Sequence, residues 1–334
     1  MPRLLSRAAA LRTTMRKWGL WGHQWAQITA SLLTVVSVTI SMRHIRRHLN
    51  HGSDPYVVQV LLMVPVYSIE ALLGLLAHQA APLLEIARSV YEAYVIYAFL
   101  QLLVRRLPPG TAVASVPHLF PCRCALRRWS DEEFVGRVLR GALQYSLLML
   151  PVMAATLGSW AGNRYERPSQ FSPRAAYPYL ATVRNLSQLW AMYCLALFYR
   201  ATRAALSSFR PLGKFVCVKA IVFFTFWQGL LISYLGHLGY LSPDRLERGD
   251  VRVTWDQHDI GLGCQNFVIA VEMVGFAFAH RFAFPVADFP AAPGGRRLRA
   301  AVSLRAIWGG MRGVLRTPAC AAHCPISAHE YAEI

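Results

Sequence analysis

Seven stretches of this chain are each long and apolar enough to cross a bilayer core, which takes about 20 residues of helix. They are residues 24–42, 56–77, 83–104, 140–157, 179–199, 215–240 and 260–282. Lipid offers no partner for backbone N–H and C=O groups, so each stretch must be helical. A transmembrane β-barrel needs short segments of alternating polarity, and these runs do not alternate. Of the 334 residues, 55% are hydrophobic and only 16% charged, too little charge to cover a soluble domain of this length. The expected fold class is all-α: a polytopic membrane protein built as a seven-transmembrane-helix bundle. The fifth stretch is the weakest, because Arg184, Asn185 and Gln188 interrupt it.

The formal net charge of +18 comes almost entirely from arginine. Nucleic-acid binding would need a solvated basic face on a soluble fold. Here the arginines gather between apolar stretches, where they fix topology and attract anionic lipid. Arg43, Arg46 and Arg47 follow the first stretch. Arg105, Arg106, Arg123, Arg127 and Arg128 follow the third, and Arg200, Arg203, Arg210 and Lys214 follow the fifth. The hairpin at 78–82 has no Lys or Arg, and acidic residues dilute the loop after the sixth stretch. The positive-inside rule then puts the N-terminus outside and the 296–316 segment in the cytoplasm. Residues 1–23 read as a basic N-terminal tail, although the Arg-, Ser- and Ala-rich leader also has the composition of an organellar transit peptide. Residues 24–285 form the transmembrane domain, with a cytoplasmic Cys/Arg-rich loop at 105–139. Residues 286–334 are expected to be a basic, disordered cytoplasmic tail.

An ionisable group at bilayer depth costs several kcal/mol on insertion scales, about 3 for Asp, Lys or Arg at mid-span, and calls for a physical reason. The second stretch carries Tyr67 and Glu70 just after Pro65, and proline kinks often border cavities. Glu70 either lines a pathway or lies near the interface. The third stretch places Glu85, Arg88 and Glu92 on one helix face, with Tyr91 and Tyr94 flanking Glu92. That face is either an ion-pair ladder or, at Glu92, part of a route. Gln144 lies in the fourth stretch and Arg184 in the fifth. Lys219, Trp227 and Gln228 lie in the sixth, and Gln265, Asn266 and Glu272 in the seventh. A cavity lined by both signs of charge would bind an amphipathic anion or relay protons; otherwise the charges neutralise one another in packing. We take Tyr67, Glu70, Tyr91, Glu92, Gln144, Arg184, Lys219, Trp227, Gln228, Gln265, Asn266 and Glu272 as the candidate substrate pathway.

Enzymatic parts are missing. No His-Glu-x-x-His, Gly-x-Ser-x-Gly or P-loop occurs, so no catalytic residue, cofactor or metal is assigned. Cys320, His323, Cys324 and His329 have zinc-ligand chemistry but lie in the tail. An intramembrane enzyme would need a pair of reactive groups within hydrogen-bond reach, and Glu92 with His280 is a pairing the sequence leaves open. Cys122 and Cys124, juxtamembrane and flanked by arginine, suit S-palmitoylation. From the residues alone, a route for an amphipathic solute and a non-transporting seven-helix receptor or trafficking scaffold both stay open. The expected partners are membrane lipids and the solute itself, not nucleic acid.

Several segments resemble one family when taken in order. They are Met63-Val64-Pro65-Val66-Tyr67-Ser68-Ile69-Glu70, Tyr91-Glu92-Ala93-Tyr94-Val95-Ile96-Tyr97, Leu143-Gln144-Tyr145, Lys214-Phe215, Phe226-Trp227-Gln228-Gly229, Gln265-Asn266, Glu272-Met273, Ala279-His280 and Ala283-Phe284-Pro285. The set resembles the organic solute transporter subunit alpha and transmembrane protein 184 family, with motifs nearer the second branch. The resemblance implies seven helices with the N-terminus outside, and a cysteine-bearing cytoplasmic loop that Cys122 and Cys124 match. It also implies facilitated movement of organic anions and steroid- or lipid-like solutes, so the expected function is facilitative transport of amphipathic solutes, with a non-transporting seven-helix receptor or trafficking scaffold as the alternative. A single-span partner subunit or a homo-oligomer, and a plasma, endosomal or vacuolar membrane, follow from the same likeness.

Overall fold

The computed structural model describes residues 2–77, 80–108, 111, 113–118, 129–162, 176–238, 245–248, 251–254, 257–290 and 303–316. Cys122, Cys124, Cys320, His323, Cys324 and His329 lie outside them. The long elements are helices α1 (Pro2–His51), α2 (Pro55–Leu61), α3 (Met63–Leu76), α4 (Ala81–Val104), α5 (Asp131–Ala161), α6 (Tyr177–Thr202), α7 (Pro211–His237) and α8 (Gln257–Ala283). The all-α expectation holds, apart from an antiparallel pair of short strands, β1 (Arg245–Arg248) and β2 (Val251–Thr254), within the sixth connection.

Among the described residues, five segments meet the length and apolarity of a membrane span: Gln24–His51, Pro55–Leu76, Glu133–Ser159, Pro211–Gly236 and Ile260–Ala283. The other two expected spans fall on α4 and α6, which have the length, at 24 and 26 residues, but not the apolarity. Glu85, Arg88 and Glu92 lower it in α4, and Arg184, Asn185 and Gln188 in α6.

Local chemistry sets the helix ends. Gly52, at φ 74°, ends α1; its N–H bonds Leu49 O at 3.1 Å, and Ser53 N–H bonds His48 O at 3.0 Å. That is the Schellman arrangement, and it wants glycine at the left-handed position. Asp54 then caps α2, accepting from Tyr56 N–H at 3.0 Å, with Pro55 at the first helical position. The helix breaks at Leu62. Pro65 has no N–H to give the carbonyl four residues earlier, that of Leu61, so the distortion expected from the sequence falls one turn before the proline.

The described chain divides into two compact units. The first comprises residues 1–44, 64–85 and 217–282. Its α1, α3 and α8 meet where alanines let the helices approach: Ala30 and Ala270 are buried together with Leu75, with Leu72 and Phe267 against them. Thr34 Oγ1 donates to Ser68 O at 3.3 Å, and the Ser37 and Ser68 hydroxyls are 2.8 Å apart. Small side chains and interhelical hydrogen bonds replace the hydrophobic drive that lipid cannot supply. Conversely, Phe223, Phe226, Leu230, Leu231 and Tyr234 of α7 are exposed. An apolar exterior over a more polar contact zone suits a bilayer, not water.

The second unit comprises residues 45–63, 86–216 and 283–334. Ala93, Ile96, Tyr145, Met149 and Ala191 form a core across α4, α5 and α6. Ser146 Oγ donates to Ala93 O at 2.8 Å. The α5–α6 approach depends on Gly141, where an added Cβ would overlap Cys194 Sγ and lie 3.2 Å from Trp190 Nε1. Gly141→Ala is therefore expected to destabilise by about 1–3 kcal/mol, seen as a lower thermal midpoint in detergent. Cys194→Ala in the same chain should recover most of the loss; no recovery would show that the contact is not responsible.

A helix α9 (Leu304–Arg316) lies within the segment after residue 285, which its composition reads as largely disordered. Leu304, Ile307, Trp308, Met311, Val314 and Leu315 recur at helical spacing. Met311 and Val314 are buried, whereas Trp308, Leu315, Arg305 and Arg312 are exposed.

Candidate functional site

In the first unit the candidate residues concentrate between α7 and α8. Gln228 Nε2 donates to Glu272 Oε1. One turn earlier on α7, Thr225 O accepts from Gln265 Nε2 at 3.1 Å, and Gly229 leaves room for that amide, 3.2 Å from where a Cβ would stand. Gln265 and Glu272 are seven residues apart, two turns of one helix face, so a single stripe of α8 supplies both contacts. Asn266 is buried, and its amide nitrogen would lie 2.5 Å from a Cβ at Gly74 of α3. Glycine thus stands opposite an amide on two different helices.

The Gln228–Glu272 pair is only half satisfied. Gln228 Oε1 and Glu272 Oε2 are both buried and have no hydrogen-bond partner among the described residues. A carboxylate holding one donor at membrane depth is costly. Such a pair offers two acceptors to any donor that enters. Elsewhere in the unit Tyr67 and Glu70 are buried on α3. Lys219 is half-buried on α7, and Trp227 is half-exposed beside Phe223 and Phe226.

In the second unit the candidates are held in separate pairs. Tyr91 donates its hydroxyl to Gln59 O, and Tyr94 donates to Gln59 Oε1 at 2.6 Å, so buried Gln59 ties α2 to α4. Arg88 Nε lies 3.6 Å from Glu92 Oε1, the ion pair that helical spacing allows. Gln144 and Ser187 exchange two bonds: Gln144 Nε2 to Ser187 O at 3.1 Å, and Ser187 Oγ to Gln144 Oε1 at 3.0 Å. Ser187 belongs to the Asn185-Leu186-Ser187 sequon, and its hydroxyl is turned to a neighbouring helix. Arg184 and Glu92 both lie within electrostatic reach of Tyr145.

Sequence reasoning missed a polar knot around 283–289. Lys214 Nζ donates to Asp288 Oδ2 at 2.5 Å and to Phe209 O at 2.6 Å. His48 bridges Ser53 Oγ and Phe284 O, each at 3.1 Å, and His51 Nε2 reaches Phe289 O at 2.8 Å. Arg106 stacks over Phe289 at 4.5 Å. Burial pushes its guanidinium below the usual value, while Asp54 and Asp288 act in the opposite direction. The signal lay in Lys214-Phe215 and Ala283-Phe284-Pro285, present in the sequence as motifs without a shared role. Likewise, part of the 105–139 loop is anchored: Ser115 N–H bonds Asp131 Oδ1 at 2.7 Å, and His118 Nδ1 lies 2.7 Å from Tyr193 OH.

Comparison with known proteins sets this arrangement in context. The sequence profile of the family described as organic solute transporter Ostalpha matches residues 26–289. Protein LAZ1 homolog 1 of Arabidopsis thaliana is 31% identical over 294 residues, covering 79% of this chain. The chain spans 58% of that relative's length. No solved structure matches.

Proposed function

Because the chain belongs to the organic solute transporter Ostalpha family, we propose that this integral membrane protein is a facilitative transporter of amphipathic organic solutes. Organic anions and steroid- or lipid-like molecules are the solute class. The observation that carries the reading is the half-satisfied pair of α7 and α8. Glu272 Oε2 and Gln228 Oε1 are buried acceptors without donors among the described residues, and a hydroxyl or N–H on a passing solute would satisfy them. A hydrogen bond to a charged acceptor contributes about 1.5–3 kcal/mol, enough to hold a solute in passage without trapping it.

The apolar body of the solute would lie against aromatic side chains such as Trp227, with Lys219 drawing its anionic head. In the second unit Tyr91, Glu92, Gln144 and Arg184 are the corresponding candidates. Tyr67, Glu70, Gln265 and Asn266 complete the set. The charge pattern of the connections supports an N-terminus outside and a cytoplasmic C-terminus, in a plasma, endosomal or vacuolar membrane. A single-span partner subunit or a second copy would complete the assembly.

The test is uptake of labelled organic anions and lipids into liposomes holding the purified protein. Saturable uptake above that of protein-free liposomes is expected. A folded, correctly inserted protein that moves none of them would favour a receptor or trafficking scaffold instead.

A further inference from the structure

We propose that the connection from α6 to α7 is a binding site for phosphate-bearing anions, either a phospholipid headgroup or a soluble phosphate. A cavity of about 570 Å³ opens there, and Arg200, Arg203, Arg210 and Ser207 line it. No acidic residue does. None of the three guanidiniums has an ion-pair partner among the described residues. Three cations converging on one concavity repel one another, and an anion between them removes that repulsion. Arg200 gives one N–H to Pro117 O at 3.4 Å, which leaves the rest of its five donors.

The backbone adds donors and withdraws acceptors. The carbonyls of Thr202, Ala204, Leu206 and Ser207 each accept a backbone N–H from three or four residues on. Phe209 O is taken by Lys214. Arg210, at φ 51°, passes the chain from the 3-10 turn Ser207–Phe209 straight into α7. Leu212 and Gly213 also line the cavity. Their amides belong to the first turn of a 27-residue helix, where N–H groups have no intrahelical acceptor and the dipole favours negative charge. Arginine forks, a hydroxyl and helix-start amides together are the donor set that suits a phosphate. The volume fits a sugar-phosphate headgroup. Leu212 is apolar and exposed at the same place, so an acyl chain would have a surface to leave along.

This site is independent of the Gln228–Glu272 pair, so the two proposals fail separately. The full-length protein, in phosphatidylcholine nanodiscs, is titrated with a short-chain phosphoinositide, the matching free inositol phosphate, inorganic phosphate and a short-chain phosphatidylcholine. Saturable binding of the phosphoinositide or the free phosphates, but not of phosphatidylcholine, is expected. Binding of the lipid alone assigns the site to a headgroup; equal binding of the free inositol phosphate assigns it to a soluble ligand. The double change R203Q/R210Q should weaken binding at least about tenfold. R46Q/R47Q, which removes the same charge from exposed positions of α1, should leave it unchanged. Ser207→Trp, which fills the cavity without altering charge, should also weaken it and serves if the double variant does not fold. Absence of saturable binding by every phosphate probe overturns the proposal, as does equal weakening in R46Q/R47Q.

Discussion

Glu272→Gln is expected to cut solute flux about tenfold to a hundredfold while leaving the amount of folded protein in the membrane unchanged. The substitution keeps the side chain's shape and keeps an oxygen to accept from Gln228 Nε2. What it changes is the second position. Oε2 is a buried acceptor with no partner among the described residues, and so is Gln228 Oε1. An amide NH₂ at 272 would donate to Gln228 Oε1 and close the pair into a reciprocal ring. The helix contact survives, and the acceptors offered to the solute are gone. Loss of one hydrogen bond to a charged group is about 1.5–3 kcal/mol, which converts to the stated range in rate or affinity. Flux and expression measured on the same preparation decide the matter. Flux and folded protein lost together would make the pair a structural clasp; flux unchanged would remove Glu272 from the route.

Lys214→Ala is expected to destabilise the protein by about 2–4 kcal/mol without altering flux per folded molecule. The Lys214 side chain is only 2% exposed, whereas Asp288 is 28% exposed. Removing the ammonium leaves Phe209 O and the Asp288 carboxylate short of their donor and empties the space against the Phe209 ring, 4.2 Å from Nζ. Breaking a buried pair from one side costs about 3–5 kcal/mol; the partial exposure of Asp288 lowers that here, because water can take over part of the bond. Asp288→Asn keeps an acceptor and should lose less. The thermal midpoint in detergent reads both, and an unchanged midpoint for Lys214→Ala would show that the knot around 283–289 does not hold the fold.

Much of the architecture was legible because the bilayer imposes so strong a length and polarity rule. The runs at 24–42, 56–77, 140–157, 215–240 and 260–282 overlap the five segments that satisfy that rule among the described residues. The break near Pro65 was legible from one missing N–H. Less legible were elements whose chemistry is long-range. Nothing near Gln59 in the chain announces that two tyrosines of α4 will claim it. Lys214 and Asp288 are 74 residues apart, and only the fold makes them one feature. Helix α9 was hidden by composition: its Arg- and Gly-rich surroundings read as disorder, although its apolar residues keep a strict helical spacing.

Among the candidate residues, spacing along one helix was legible and the partners on other helices were not. Periodicity on the seventh stretch put Gln265 and Glu272 on one face, and the structure gives each a partner on α7, Thr225 O and Gln228. Tyr91, by contrast, was singled out as a route-lining aromatic, and its hydroxyl is engaged by Gln59 in a helix–helix contact. A residue's position within a span can be counted from sequence; which neighbour occupies its polar atoms cannot.

The proposed transport route requires that solute reach the Glu272 position. In a chain whose native cysteines are replaced, Glu272→Cys can be exposed to a small water-soluble thiol reagent in proteoliposomes, with and without a solute that the unaltered protein transports. If solute passes this position, the thiol is modified and modification slows as solute concentration rises. A thiol that stays unmodified in a folded, inserted protein, or one modified at the same rate whatever the solute concentration, would contradict that route.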